Sequence, residues 1–262
     1  MFSLGFGYKS SDLLIDCFKA QSSENQNFYF DNKSPKGLLF ETIHEKLPSI
    51  LVDAVKLECM PDLPVTLKKS CSIDKIFLLN KDCTGISSFF DGFNFWIDEY
   101  AKQGDEIFHR YFERFDSISK FNFVFSNTFE SGFGLSCLDD YVKTEFPKSL
   151  VYSFVSDVSS LNVEKSLILS CSVINSDICY MGNENDWKTN IFPSLIENPP
   201  LLFNDDKILE ITANSSVTPV SITFLNQIKT NLLNSHLTKS KLLKDEDKTL
   251  IEKSIEWLDN RT

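Results

Sequence analysis

The stretch with the clearest capacity for chemistry runs from Phe121 to Pro147, FNFVF-SNTFESGFG-LSCLDDYVKTEFP. Phe121 to Phe125 is an aromatic, β-branched run of strand length. Ser126 to Gly134 reads as a turn of small residues carrying Ser131, Gly132 and Gly134, interrupted by Phe129 and Glu130. Leu135, Leu138 and Val142 then recur at helical spacing, and Pro147 closes the segment. Strand, small-residue loop and helix in that order can cradle phosphate, because backbone N–H groups and the helix N-terminus both face the anion. A second glycine turn, Gly5 and Gly7, ends the first apolar run, with Lys9 just beyond. Asp53 closes the run Ile50-Leu51-Val52, and Asp177 precedes another run. A carboxylate at a strand end either caps a turn or serves a cation or a proton transfer.

The elements that would position these residues can be read in order. Phe2 to Gly7 is a first strand, and Ser10-Ser11-Asp12 is an N-cap cluster for a helix carrying Leu13, Leu14, Cys17 and Phe18. Gln21 to Lys36 is polar and reads as a surface loop. Pro48 to Asp53 is a short buried strand, Cys59 to Ser70 is irregular, and Lys75 to Leu79 is another strand. Asn80 to Asp91 resembles a surface insertion. A helix is predicted over about 94–115, with Ile107, Phe108, Tyr111, Phe112 and Phe115 on one stripe. Later come strands at Leu150 to Val155 and Ile178 to Met181, a buried run at Leu167 to Cys171, and a short helix over Asp186 to Leu195. Helices follow over Asp205 to Val217, ended by Pro219, over Phe224 to Leu233, and over Lys244 to Leu258 with Ile251, Ile255 and Leu258 on one face. Alternating strands and helices predict an α/β fold, three-layered and Rossmann-like, with a mainly parallel sheet and helices on both faces. Ligands of such sheets sit at the carboxyl ends of the strands, here the loops after Leu4, Val52, Phe125, Val155 and Met181.

Composition narrows the classes. A chain of 262 residues with 42% hydrophobic content can bury a full core. Its net charge of −11 argues against a general nucleic-acid or anionic-membrane binder. The seven cysteines are odd in number and form no C-x-x-C pair, which reads as reduced thiols in an intracellular protein. Three distant histidines argue against a histidine metal site. The start, Met1 to Leu4, has no signal-peptide pattern and no run of about 18 apolar residues occurs, so a cytoplasmic location is expected.

Five segments then fall into a known order. Gly92, Asn94 and Trp96, followed by Tyr100 and Gly104, are similar to a G-x-x-N-N-W…Y…G segment. SNTFESGFG stands where G-G-G-T-G-S-G would stand. Ser176 to Glu184 is similar to a strand ending in D-N-E, Pro200 to Asp205 to P-x-Y-x-D-L-N, and Ile50 to Asp53 to I-L-V-D-L-E-P. Together they resemble the nucleotide-binding domain of the tubulin superfamily (the tubulin/FtsZ GTPase domain) over residues 1–235. Residues 236–262 are then a carboxyl-terminal amphipathic helix. The family's intermediate and carboxyl-terminal domains are expected to have no counterpart. Asn185-Asp186 and Ser216 to Pro219 lean toward the delta-tubulin branch.

The resemblance implies GTP or GDP as cofactor, held by Gly5, Gly7, Asn94, Ser131, Gly132, Gly134, Asn183 and Phe203, with Asp53 on the magnesium side. The residues themselves depart from the pattern. Asn127, Thr128 and Glu130 stand where glycines belong and Phe129 replaces threonine, so side chains fill phosphate space that only glycine leaves open. A Glu130 carboxylate about 4 Å from a phosphate charge would be repelled by roughly 4 kcal/mol at an effective dielectric of about 20. Val55 replaces the glutamate beyond Asp53, which argues against Mg2+. Lys207 replaces the base-reading asparagine and supplies no acceptor for guanine. Lys229, Asn231 and Asn234 stand where the family carries Asn, Asp and, in the hydrolysing partner, Glu, so no carboxylate is evident to activate water.

The expectation is therefore a shortened, divergent tubulin-like cytoskeletal or interaction protein with degenerate or lost GTP binding and no effective hydrolysis. The implied partner is a protein, either another tubulin or a centriole or basal-body component, and not nucleic acid or membrane. The apolar face of the tail helix either packs on the chain's own core or serves as a docking surface. Two alternatives stay open: a microtubule- or centriole-associated GTP-binding tubulin-like protein, and an unrelated doubly wound enzyme using Asp53 or Asp177 as its acid.

Overall fold

The structure is a computed structural model and describes residues 2–7, 36–42, 73–79, 87–102, 108–109, 112, 118–126, 128–156, 161–182, 208–211, 217–239 and 244–260. In chain order these residues form β1 (Phe2–Phe6), β2 (Lys36–Thr42), β3 (Ile73–Leu79), α1 (Ser87–Phe95), β4 (Lys120–Phe125), α2 (Thr128–Cys137), β5 (Leu150–Ser156), α3 (Val163–Asn175), β6 (Ile178–Gly182), β7 (Ile208–Ile211), β8 (Val217–Pro219), α4 (Ile222–Lys239) and α5 (Asp245–Asp259). Both α1 and α2 run on into wider π-helical turns, Trp96–Tyr100 and Leu138–Val142.

One sheet in the order β3-β2-β1-β4-β5-β6-β7-β8 carries the fold. Every pairing is parallel except β7 with β8. The chain is thus an α/β, mainly parallel, Rossmann-like protein, and its first six strands have the doubly wound order with a switch point between β1 and β4. Strand register puts Leu4, Phe6, Phe121, Phe123, Phe125, Val151 and Val155 on one face. Asn122, Val124, Tyr152, Phe154, Ile178 and Tyr180 lie on the other and are buried too. Burial on both faces is what a parallel sheet requires, and it explains why these strands read as unbroken apolar runs.

The first face is packed with rings. Phe6 stacks on Phe123 and Phe125 at 5.8 and 5.5 Å. Phe133 and Trp96 meet edge-on at 5.4 Å, and Trp96 donates its indole N–H to Asp140 Oδ2 at 2.9 Å. The heavy use of phenylalanine is thereby accounted for: rings from β1, β4, α1, α2 and residues 108 and 112 fill one core. α3 extends that core over β5 and β6, and α4 and α5 pack against α3.

Several sequence expectations change. Ser87 to Asp91, taken as surface, is helical with Phe89 and Phe90 buried, so the helix expected from Asn94 begins at least seven residues earlier. Lys36–Thr42, of which only Lys36 was assigned, as the end of a polar loop, is the strand β2 between β1 and β3. The helix expected over Asp205 to Val217 is replaced by β7 and β8, an antiparallel pair that closes the sheet edge with Pro219 as its last residue. A proline donates nothing to a ladder, so it suits an edge strand. The lean toward the delta-tubulin branch, which took Ser216 to Pro219 as a helix end, loses that support. The buried run Leu167 to Cys171 lies in a helix, α3, sealed on all sides. The 235/236 boundary falls inside the continuous helix α4. The tail helix turns Ile251 and Leu258 fully into the core, with Ile255 partly buried against it, so its apolar face is not a free docking surface. The expected elements at Ser10 to Phe18, Pro48 to Asp53, Cys59 to Ser70 and Asp186 to Leu195 lie outside the described residues. Among the described residues no helix is long and apolar enough to cross a membrane.

Candidate functional site

The switch point directs attention to the carboxyl ends of β1 and β4. β1 ends at Phe6, and Gly7 follows with φ 97°, a left-handed backbone that glycine alone adopts readily. β4 ends at Phe125, and Ser126 clasps the two strand ends. Its N–H and its hydroxyl both donate to the Phe6 carbonyl, at 3.0 and 3.2 Å. Ser156 repeats the device one strand over, donating its hydroxyl to the Phe125 carbonyl at 3.1 Å.

The segment expected to loop over this edge does not. α2 begins at Thr128, three residues after the last residue of β4, and takes in Phe129 to Gly134 as helix. Two helix-interior glycines cost about 1 kcal/mol each relative to alanine. The offset is burial, since every side chain from Phe129 to Cys137 is enclosed. Phe129 and Phe133, one turn apart, both meet Phe95, at 5.9 and 6.1 Å. Glu130 is 1% exposed, so its side chain is held inside rather than turned to solvent.

The glycines permit close backbone approach within the core. A Cβ on Gly132 would lie 2.0 Å from the Phe89 carbonyl oxygen, and one on Gly92 would lie 2.0 Å from the Phe129 carbonyl oxygen. The two glycines therefore let α1 and α2 cross backbone to backbone. A Cβ on Gly134 would meet the Phe6 ring at 2.6 Å. Ser131 is fully buried in the same helix.

The remaining candidates are dispersed. Gly5 is buried in mid-β1, paired with Leu39 and Val124. Asn94 lies inside α1, and its amide faces Asp247 Oδ1 of α5 at 3.5 Å. Asp247 is itself occupied by the N-terminus of α5, accepting the Lys244 N–H at 3.1 Å. Asp53, Asn183, Phe203, Lys9 and Lys207 lie outside the described residues. On α4, Lys229 forms an ion pair with Asp259. Asn231 donates to Ser166 Oγ at 3.1 Å and to the Leu161 carbonyl at 3.4 Å. Asp177, the acid of the enzyme reading, binds the Val151 N–H at 2.7 Å through Oδ2 and so joins β5 to β6 at the amino ends of the strands, the edge opposite the switch-point crevice.

Residues that sequence reasoning passed over stand at the crevice instead. Thr128 Oγ1 donates to Glu164 Oε2 at 3.1 Å. Lys165 Nζ donates to the Ser126 and Ser156 carbonyls at 2.9 and 3.0 Å. Asn162 was the available signal, an N-cap residue before Val163 whose side chain accepts from Lys165 N. Among the described residues no cluster of three His, Cys, Asp or Glu is placed to hold a metal. Cys137, Cys171 and Cys179 are buried cysteines. Burial pushes the Cys171 thiol up to about 12, despite a hydrogen bond with Ser254, so it is no nucleophile at neutral pH.

No protein-family model and no curated protein matches the sequence. Among solved structures the chain is similar to CetZ from Methanosaeta thermophila strain DSM 6194, a tubulin/FtsZ-family protein, at 11% identity and a TM-score of 0.48. The match covers 77% of this chain and 56% of that one, so it takes in little more than half the length of CetZ.

Proposed function

We propose that this chain is a divergent tubulin-like protein that works as a structural or interaction component of the cytoskeleton, with guanine-nucleotide binding degenerate or lost and no effective hydrolysis. The observation that carries this reading is the start of α2 at Thr128. The segment that resembles the phosphate loop is spent on a buried helix, and its glycines on helix crossing. Beyond the first turn of a helix the backbone N–H groups are already bonded to carbonyls, and the first turn of α2, which still has N–H groups to offer an anion, carries the buried Glu130 carboxyl among them. The positions matching the family's Asn, Asp and, in the hydrolysing partner, Glu hold Lys229, Asn231 and Asn234, and the first two pin α4 to its neighbours. The partner in this reading is another tubulin or a centriole or basal-body protein, and the setting is the cytoplasm.

Denaturing the purified protein and identifying any nucleotide released tests the first half: none is expected, and stoichiometric GTP or GDP would overturn the loss of binding. Co-sedimentation with polymerised tubulin tests the second half. Saturable pelleting is expected, and a chain that stays in the supernatant at every polymer concentration would remove the proposed tubulin partner.

A further inference from the structure

Two consecutive residues in the first turn of α3 reach across the carboxyl edge of the sheet in different directions. Glu164 accepts the hydroxyl of Thr128, the first residue of α2. Lys165 holds the carbonyl just past β4 and the last carbonyl of β5. Their backbone is fixed from below: Asn162 Oδ1 accepts the Lys165 N–H at 2.9 Å, and Ser166 donates its N–H and hydroxyl to the Asn162 carbonyl at 2.9 and 2.7 Å. At this edge the ladder has ended, and strand-end carbonyls need partners from elsewhere. A helix N-terminus favours a negative charge close by, and phosphate-binding folds put ligand phosphate there. Here the nearby negative charge is the chain's own carboxylate, with its own ammonium one residue on.

We propose that Glu164 and Lys165 form a built-in latch that ties the start of α2 to β4, β5 and α3 and holds the carboxyl ends of β4 and β5 together without any ligand. The latch rests on these contacts and not on the tubulin-like reading, so either can fail without the other. Charge-assisted hydrogen bonds are the stronger kind, and removing those of Lys165 should raise local opening about tenfold or more.

The test is amide hydrogen exchange on the full chain, comparing wild type with Lys165→Met, Glu164→Gln and, as a control, Lys253→Met on the exposed side of α5. The expected result is exchange about tenfold faster at Phe125, Ser126 and the end of β5 in Lys165→Met, a smaller rise in the first turn of α2 in Glu164→Gln, and no change in the control. Exchange within about twofold of wild type in both α3 variants would overturn the latch. If Lys165→Met does not fold, acylation of wild type decides the matter. Lys165 should react about tenfold more slowly than Lys253, and equal rates would overturn the proposal.

Discussion

Gly92 and Gly132 stand or fall on a 2.0 Å clearance. Glycine to alanine in a helix interior ordinarily gains up to about 1 kcal/mol from propensity. At these two positions the sign should reverse, because a methyl group has to push one backbone off another. Gly132→Ala and Gly92→Ala are each expected to lose about 2–4 kcal/mol in chemical denaturation; a gain in either would mean that α1 and α2 do not cross as described. Lys120 offers a second residue-scale test. Its ammonium lies 4.5 Å from the Tyr152 ring centre, and burial lowers its pKa from 10.5 to about 8. Between those values the unfolded chain holds a proton that the folded chain has released, so this group's contribution to stability increases as pH rises through the window. Desolvation raises the buried thiols of Cys171 and Cys179, which act in the opposite sense above pH 9, their ordinary value. The difference between wild type and Lys120→Met, measured by thermal melts from pH 7 to 10, isolates the lysine. Wild type should gain on the variant as pH rises, and parallel curves would contradict the buried position of the amine.

At the scale of elements, α5 is either a wall of the core or a detachable arm. With Ile251 and Leu258 fully enclosed against α3 and α4, it is a wall. Ile251→Ala and Leu258→Ala should each cost about 2–5 kcal/mol, while Lys253→Ala on the exposed side should stay within about 0.5; near-zero effects at the two apolar positions would mark an arm. Elements with unbroken apolar runs were legible in the sequence. β1, β4, β5, β6 and the α5 stripe declared themselves through type and spacing alone. What misled was composition that serves two ends. Glycine and serine in SNTFESGFG signal a loop, but they are also the residues that let a helix lie close to another backbone, and only the partner at Phe89 distinguishes the two. β7 was misread because Ile208–Ile211 is too short for a period to decide between strand and helix. The latch residues Glu164 and Lys165 were invisible because ordinary charged residues gain their role from what a neighbouring strand end lacks.

For the whole molecule, alternation predicted a mainly parallel sheet with helices on both faces, while the strand order and its switch point are seen only in the structure. What alternation does not convey is whether the crevice is open. Ser126, Ser156 and Lys165 bond the strand-end carbonyls to one another and to α3. The central proposal, that guanine-nucleotide binding is degenerate or lost, is tested most directly by ligand-dependent stability. A ligand bound only by the folded state adds about 2.7 kcal/mol at one hundred times its dissociation constant, which a thermal melt registers as a shift of several degrees. Titrating the purified chain with GTP and Mg2+ into the millimolar range should leave its melting temperature unchanged. A saturable upward shift with a midpoint in the micromolar range would contradict the account.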